Sequence, residues 1–192
     1  MGLIDDLRLT DPLSAHAMRG RVFYASDADQ DDMVTGQTGF VNTTPTFALV
    51  NPVGSRVLVI PLMVSLVQAG TVAGGDIDIL FEYDNVPTRF TSGTAETIKS
   101  TRTGAQFQTT SKATLYSTVT AAAGYGVSVY RQRLGPDISA AEAAVQEVFW
   151  APTGALDAMD PGSGLFVFTY ASTTGPTWLW SFKWAEIPLT EL

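Results

Sequence analysis

The chain has 192 residues, of which 45% are hydrophobic and only 16% are charged, and its net charge is −8 with a pI near 4.4. This length suits one domain with an appended arm, and the acidic balance argues against binding to nucleic acid, because a phosphate backbone requires clustered Lys and Arg. The chain has no cysteine, which excludes disulfides, zinc–thiolate sites and thiol nucleophiles.

Residues 1–45 show no sustained alternation of apolar and polar residues and form a predicted irregular, acidic N-terminal arm. Only a short helix near Leu3–Leu9 and a short strand at Arg21–Tyr24 are indicated there. We interpret the arm as a contact element. Its predicted anchors on a partner are the apolar residues Leu3, Ile4, Leu7 and Leu9, each contributing on the order of 1–3 kcal/mol if fully buried.

Two features of the arm could carry chemistry. The run from Asp27 to Asp32 resembles the start of a calcium loop, because alternate carboxylates can converge on a hard cation. The EF-hand pattern then fails at Asp32, where glycine is needed, and at Thr38, where glutamate is needed. A solvated acidic loop is therefore favoured over a specific ion site. His16 is the only histidine, which excludes multi-histidine metal sites, and we interpret it as a bystander.

From Thr46 onward, short apolar runs alternate with Gly, Pro, Asn and Asp, the pattern of an all-β fold. We predict a two-sheet antiparallel β-sandwich, jelly-roll-like, over residues 46–192. The predicted strands are Phe47–Val50, Arg56–Gln68 (one strand bent at Pro61, or two), Ile77–Tyr83, Thr88–Thr91, Ala113–Thr120, Gly126–Arg133, Val145–Trp150, Leu165–Ala171 and Trp178–Ile187. A capping box predicts a helical turn at Ser139–Gln146.

The uncharged stretch Val57–Gly75 is almost long enough to span a bilayer. Pro61, Gln68, Gly70 and the glycine pair at its end interrupt this stretch, and its β-branched residues favour a strand buried on both faces. We therefore predict no membrane segment.

Aromatic residues alternate along the last two predicted strands. Trp178, Trp180, Phe182 and Trp184 share one face of the last strand, and Phe166, Phe168 and Tyr170 share one face of the strand before it. We expect both sets to pack their rings into a common layer between the sheets.

Acidic and aromatic residues of the sandwich offer two alternatives to a purely structural role. Asp76, Asp78 and Glu82 share one strand face and could serve a glycosidase as paired carboxylates, although a solvated strand face is the simpler interpretation. Trp150 precedes Ala151-Pro152 and is the predicted exposed ring for stacking on a sugar. The sequence contains no nucleophile elbow, P-loop or dinucleotide motif, so we predict no catalytic residues, no cofactor, no metal and no enzyme activity.

An Asp-rich arm, a Thr-rich and lysine-poor sandwich, and the closing strand Trp178–Ile187 together resemble small virion proteins of tailed bacteriophages. The similarity is closest to jelly-roll head-decoration, or cement, proteins and covers about residues 46–192. It implies a homotrimer that is made in the host cytoplasm and fixed to the capsid exterior, where it binds and stabilises the major capsid protein lattice or contacts other virion proteins. The alternative is a carbohydrate-binding β-sandwich module of a phage fibre or baseplate.

Overall fold

The computed structural model describes residues 12–27, 32–69, 76–84, 89–102, 109–134, 146–153 and 157–191. Within them lie one α-helix, a closing 3-10 turn at Leu189–Glu191, and thirteen strands. The helix is α1 (Pro12–Met18). The strands are β1 (Val22–Ser26), β2 (Val34–Thr35), β3 (Gln37–Thr38), β4 (Phe47–Val50), β5 (Val57–Gln68), β6 (Ile77–Asp84), β7 (Phe90–Ala95), β8 (Lys99–Ser100), β9 (Thr114–Ala121), β10 (Val127–Leu134), β11 (Glu147–Trp150), β12 (Gly164–Ala171) and β13 (Thr177–Pro188).

The strands form two sheets that pack face to face. Sheet A has the order β11-β5-β13-β1-β8, with β2 beside β13, and sheet B has the order β10-β6-β12-β4-β9-β7, with β3 beside β12. All pairings are antiparallel except the short one between β3 and β12. The predicted all-β antiparallel sandwich is therefore confirmed.

Eight principal strands divide equally between the sheets. Neighbours run β1-β13-β5-β11 in sheet A and β4-β12-β6-β10 in sheet B, so that consecutive strands cross from sheet to sheet except between β6 and β10. This order is that of a jelly roll, two Greek keys folded together. β7 and β9 are inserted between β6 and β10 and extend sheet B beyond β4.

The strand predictions from Thr46 onward match the structure to within a few residues. Arg56–Gln68 is a single strand, β5, because the register against β13 shifts by one residue between Pro61 and Met63 and absorbs the bend. The predicted Leu3–Leu9 helix and residues 139–145 of the predicted helical turn lie outside the described residues. No helix in the described ranges is long and apolar enough to cross a membrane.

The space between the sheets is filled largely by aromatic residues of β13. Trp178, Trp180, Phe182 and Trp184 are all buried, as their alternation predicts. Phe47 of sheet B packs against them, with its ring centroid 5.6 Å from that of Trp180 and 5.3 Å from that of Phe182. Burial of such rings is the main source of stability in a fold without disulfides.

The prediction that Phe166, Phe168 and Tyr170 join this layer is wrong. Leu165 and Val167 of β12 face sheet A instead, while Phe166 and Phe168 form a second, smaller core on the outer face of sheet B. Apolar residues lie on both faces of β12, so the alternation could not show which face points inward.

The predicted arm, residues 1–45, differs from the structure over its second half. β1 lies inside sheet A between β13 and β8, and its residues Val22, Phe23 and Ala25 are buried. The sequence indicated a short strand at Arg21–Tyr24. A strand of five residues, with no alternating pattern on either side of it, carries too little signal to show that it lies inside a sheet. Residues 22–45 are therefore part of the sandwich, and residues 1–11 lie outside the described residues.

Candidate interaction surfaces

The predicted arm anchors Leu3, Ile4, Leu7 and Leu9 lie outside the described residues. The first described element, α1, begins at Pro12, a residue whose fixed φ suits the first helical position. Gly20, with a φ of 71°, ends the helical segment in the left-handed conformation. Arg21 then forms two hydrogen bonds of 2.6 Å to the Glu191 carboxylate, which ties the start of β1 to the end of the described chain.

The acids of β6 do not form the solvated face that the alternation predicts. Glu82 and Asp84 are almost completely buried on the outer face of sheet B. Arg89 donates to Asp84 at 2.9 Å and to Glu82 at 3.3 Å. The Gly126 amide donates to the same Glu82 oxygen at 3.1 Å. A buried carboxylate needs such partners, so these acids hold the β6–β10 insertion onto the sheet.

The Arg89 side chain also closes the second core. Its guanidinium carbon lies 4.9 Å from the ring centre of Phe166 and 5.8 Å from that of Phe168, within the range of a cation–π contact. Phe40 covers the remaining part, with its ring centroid 5.3 Å from that of Phe168. Together these contacts bury part of the outer face of sheet B, although the sequence predicted that this face of β6 is mostly exposed to solvent.

Asp78 is also engaged structurally. It lies directly opposite Arg133 of β10, which donates two hydrogen bonds of 2.9 Å to the two carboxylate oxygens. Asp76 lies 3.7 Å from the same guanidinium. The three residues of the glycosidase alternative, Asp76, Asp78 and Glu82, are thus divided between two arginines, Arg133 and Arg89.

A fourth buried carboxylate fastens the segment before β9 to β13. Glu186 accepts hydrogen bonds from the backbone amides of Lys112 and Ala113, each at 3.0 Å, and from the Ser111 hydroxyl at 2.5 Å. Trp184 adds its indole N–H at 3.3 Å. All four donors reach Glu186 Oε1, and the Lys112 amide also reaches Oε2, so this carboxylate joins the segment before β9 to β13.

The acidic run is described only at its ends. The Asp32 amide donates to the Asp27 carboxylate at 3.2 Å. Within the described ranges, no three His, Asp or Glu side chains lie where they could hold a metal ion.

Trp150, the predicted exposed ring, is buried. Its side chain packs between the sheets, with its ring centroid 5.3 Å from that of Phe81, and only 7% of the residue is exposed. Phe149 beside it is 61% exposed, so the strand turns the opposite face to solvent. A strand of four residues offers two alternations, and the sequence could not decide between them.

The four outer strands of the sheets differ in how well they are protected from pairing with another chain. β10 carries Arg131 and Arg133 and a register shift, β11 has only four residues, and β8 has two. Charges, bulges and short length are the usual protections of a sheet edge.

β7 lacks charge altogether. It pairs with β9 alone among the described strands, and all its residues after Phe90 are exposed. Gly93 lies so close to β9 that an added Cβ would stand 3.0 Å from the Cβ of Tyr116. Two register shifts bend β7, which limits its free edge to a short segment. The sequence predicted a strand at Thr88–Thr91 and left this Ser- and Thr-rich region open between long loops and exposed edge strands.

A groove runs along the opposite flank, between β10 and the segment that follows β11. One cavity of about 360 Å³ lies between Tyr130 and Phe149, and a second of about 240 Å³ lies between Tyr83 and Asp160. Asp157 lines both cavities. We call the two together the β10–β11 groove.

Comparison with known protein families, with curated proteins and with solved structures finds no match for this chain.

Proposed function

We propose that this protein is a structural subunit that binds other protein chains, and specifically an outer-capsid decoration, or cement, subunit that binds the major capsid protein lattice of a tailed bacteriophage. The observation that carries this proposal is the uncharged, exposed edge of β7. Unpaired N–H and C=O groups along such an edge invite a strand or loop of another chain, and proteins that do not use an edge usually protect it.

The commitment of the buried acids supports a structural role over an enzymatic one. Glu82, Asp84, Asp78 and Glu186 each accept hydrogen bonds from described groups that hold strands or loops together. A catalytic carboxyl would need an environment that leaves one oxygen open to the substrate. We therefore propose that the chain is not an enzyme.

The jelly-roll order is compatible with both function classes under consideration, because viral capsid proteins and lectins both use it. The fold alone does not decide between them. The capsid role draws in addition on the resemblance of the acidic arm, the Thr-rich sandwich and the closing strand to phage decoration proteins. That role implies a trimer located on the capsid exterior.

A charge placed on the free edge tests the capsid role. Thr94→Lys sets an ammonium group in the middle of β7, where a pairing strand would have to bury it. We expect Thr94→Lys to reduce binding to undecorated capsids at least about tenfold, measured by sedimenting capsids with the protein, since burying one unpaired charge exceeds about 1.4 kcal/mol. The matched control is Thr120→Lys, which adds the same charge at an exposed position of the inner strand β9.

The two variants separate an edge contact from a general effect of charge. Sedimentation of Thr94→Lys with capsids at the wild-type level would contradict the β7 contact. Failure of the wild-type chain itself to sediment with capsids would contradict the capsid role.

The alternative, a carbohydrate-binding module of a fibre or baseplate, loses its predicted anchor because Trp150 is buried. The β10–β11 groove is the observation that favours it, since an exposed aromatic ring stands there beside acidic side chains.

A further inference from the structure

The β10–β11 groove combines an apolar platform with hydrogen-bonding groups. Phe149 projects from β11 with 61% of the residue exposed, and Tyr130 of β10 stands across the cavity from it. The Tyr130 ring is held in place by the Phe81 ring, with the two centroids 5.1 Å apart. An aromatic ring fixed in this way presents a flat surface for the C–H face of a ligand at little entropic cost.

The far end of the groove contains an unsatisfied hydroxyl. Tyr83 Oη is buried and has no hydrogen-bond partner among the described residues. Burial, and to a lesser degree the Asp157 carboxylate, raise the pKa of Tyr83, so the hydroxyl stays protonated at neutral pH. A buried hydroxyl without a partner is rare in folded proteins, but solvent does not reach this oxygen, so the polar groups that a ligand can reach at this end are the acids.

The charge of the lining narrows the ligand class. Asp157 and Asp160 are exposed acids, and no Lys or Arg is found among the described residues that line either cavity. A phosphate, sulfate or carboxylate ligand would meet only like charge there. Carboxylates accept hydrogen bonds from neutral hydroxyls, and the rings accept apolar C–H faces.

We propose that the β10–β11 groove binds a neutral oligosaccharide, with one sugar ring on Phe149 and hydroxyls donating to Asp157 and Asp160. The two cavities that share Asp157 give room for more than one ring. The site lies on the flank opposite β7, so this inference does not depend on the capsid role.

The test is binding of the full chain to a panel of neutral glucans, galactans and mannans, with sulfated glycans and a tetralysine peptide as comparison ligands. We expect saturation-transfer NMR to detect at least one neutral glycan. Phe149→Ala should weaken that binding about tenfold, the range of one aromatic contact. Tyr83→Phe should leave binding and stability unchanged, because it removes only a buried, unpaired hydroxyl that a ligand in the groove does not reach.

Two control variants test whether the losses of binding are specific to the groove. Tyr125→Ala removes an aromatic residue that is 76% exposed and is not part of the lining, and Asp76→Asn removes an acid outside the groove. Both should bind like wild type, and Phe149→Ala should still sediment with capsids if the β7 contact is correct. The proposal is overturned if no neutral glycan binds at millimolar concentration, if binding survives both Phe149→Ala and Asp157→Asn, or if only sulfated glycans or tetralysine bind.

Discussion

Arg89 donates hydrogen bonds to the buried carboxylates of Glu82 and Asp84 and covers the second core of sheet B. Replacing it by Met would leave two buried acids without their cation, the situation in which a broken buried ion pair is most damaging. We expect Arg89→Met to lower the free energy of unfolding by about 3–5 kcal/mol in urea titrations.

A matched arginine separates this effect from loss of charge in general. Arg131 lies on β10 with its side chain exposed, so Arg131→Met should change stability by no more than about 0.5 kcal/mol. A loss of less than about 1 kcal/mol in Arg89→Met would show that the buried acids do not depend on Arg89.

Glu96 predicts a pH dependence. Burial raises its pKa above the usual 4.5, a hydrogen bond to Ser117 opposes the shift, and the charges of Asp32 and Asp27 add to it. The folded chain therefore binds this proton more tightly than the unfolded chain. The resulting stabilisation is complete below pH 4.5 and is lost as the pH rises through the folded pKa.

Glu96→Gln cannot ionise and should escape that loss. We expect the variant to gain stability relative to wild type at pH 7 and to show a smaller gain, or none, at pH 4, as measured by urea unfolding at both values. An equal difference in stability at the two pH values would mean that the ionised Glu96 carboxylate does not destabilise the folded chain.

β1 shows that part of the N-terminal region is a strand of sheet A. Its five residues pair with β13 and its first half also with β8, and Phe23 stacks on Trp184 with 6.2 Å between the ring centroids. A chain that begins at Met33 lacks this strand and should lose cooperative thermal unfolding and the near-ultraviolet circular dichroism of the tryptophans. A chain that begins at Pro12 keeps every described contact and should retain both. Cooperative unfolding of the shorter chain would mean that sheet A closes without β1.

The strands that could be predicted from the sequence are those in which apolar and polar residues alternate strictly between clear turns. β13 is the best case, because aromatic and small or polar residues alternate strictly along it, and all four aromatic residues are buried as expected. β2, β3 and β8 have two residues each and carry no period to detect.

The sequence did not predict correctly which side of a strand points between the sheets where both faces of the strand are buried. β12 carries apolar residues on each side. β6 buries acids on its outer face because Arg89, which donates to Glu82 at 3.3 Å, neutralises them. A pattern of apolar and polar residues records water exposure and cannot record a buried ion pair. The groove could not be predicted either, because β10 and β11 belong to different sheets and their side chains line one cavity only in the folded sandwich.

At the scale of the whole molecule, two flanks of the sandwich differ in chemistry. The β7 flank is uncharged and presents a free sheet edge, while the β10–β11 flank carries a groove with aromatic rings and acids. A low content of charge over a rigid double sheet suits broad contacts with other proteins, because the centres of such contacts are depleted of charged residues. Closed rotational symmetry is the usual result when such a chain self-associates.

Electron cryomicroscopy of undecorated phage capsids mixed with the purified chain tests the capsid role most directly. The proposal predicts added density at regular lattice positions on the capsid exterior, with three-fold symmetry, in which sandwiches contact the major capsid protein through β7. Capsids that carry no added density at saturating protein, or density scattered without relation to the lattice, would contradict it.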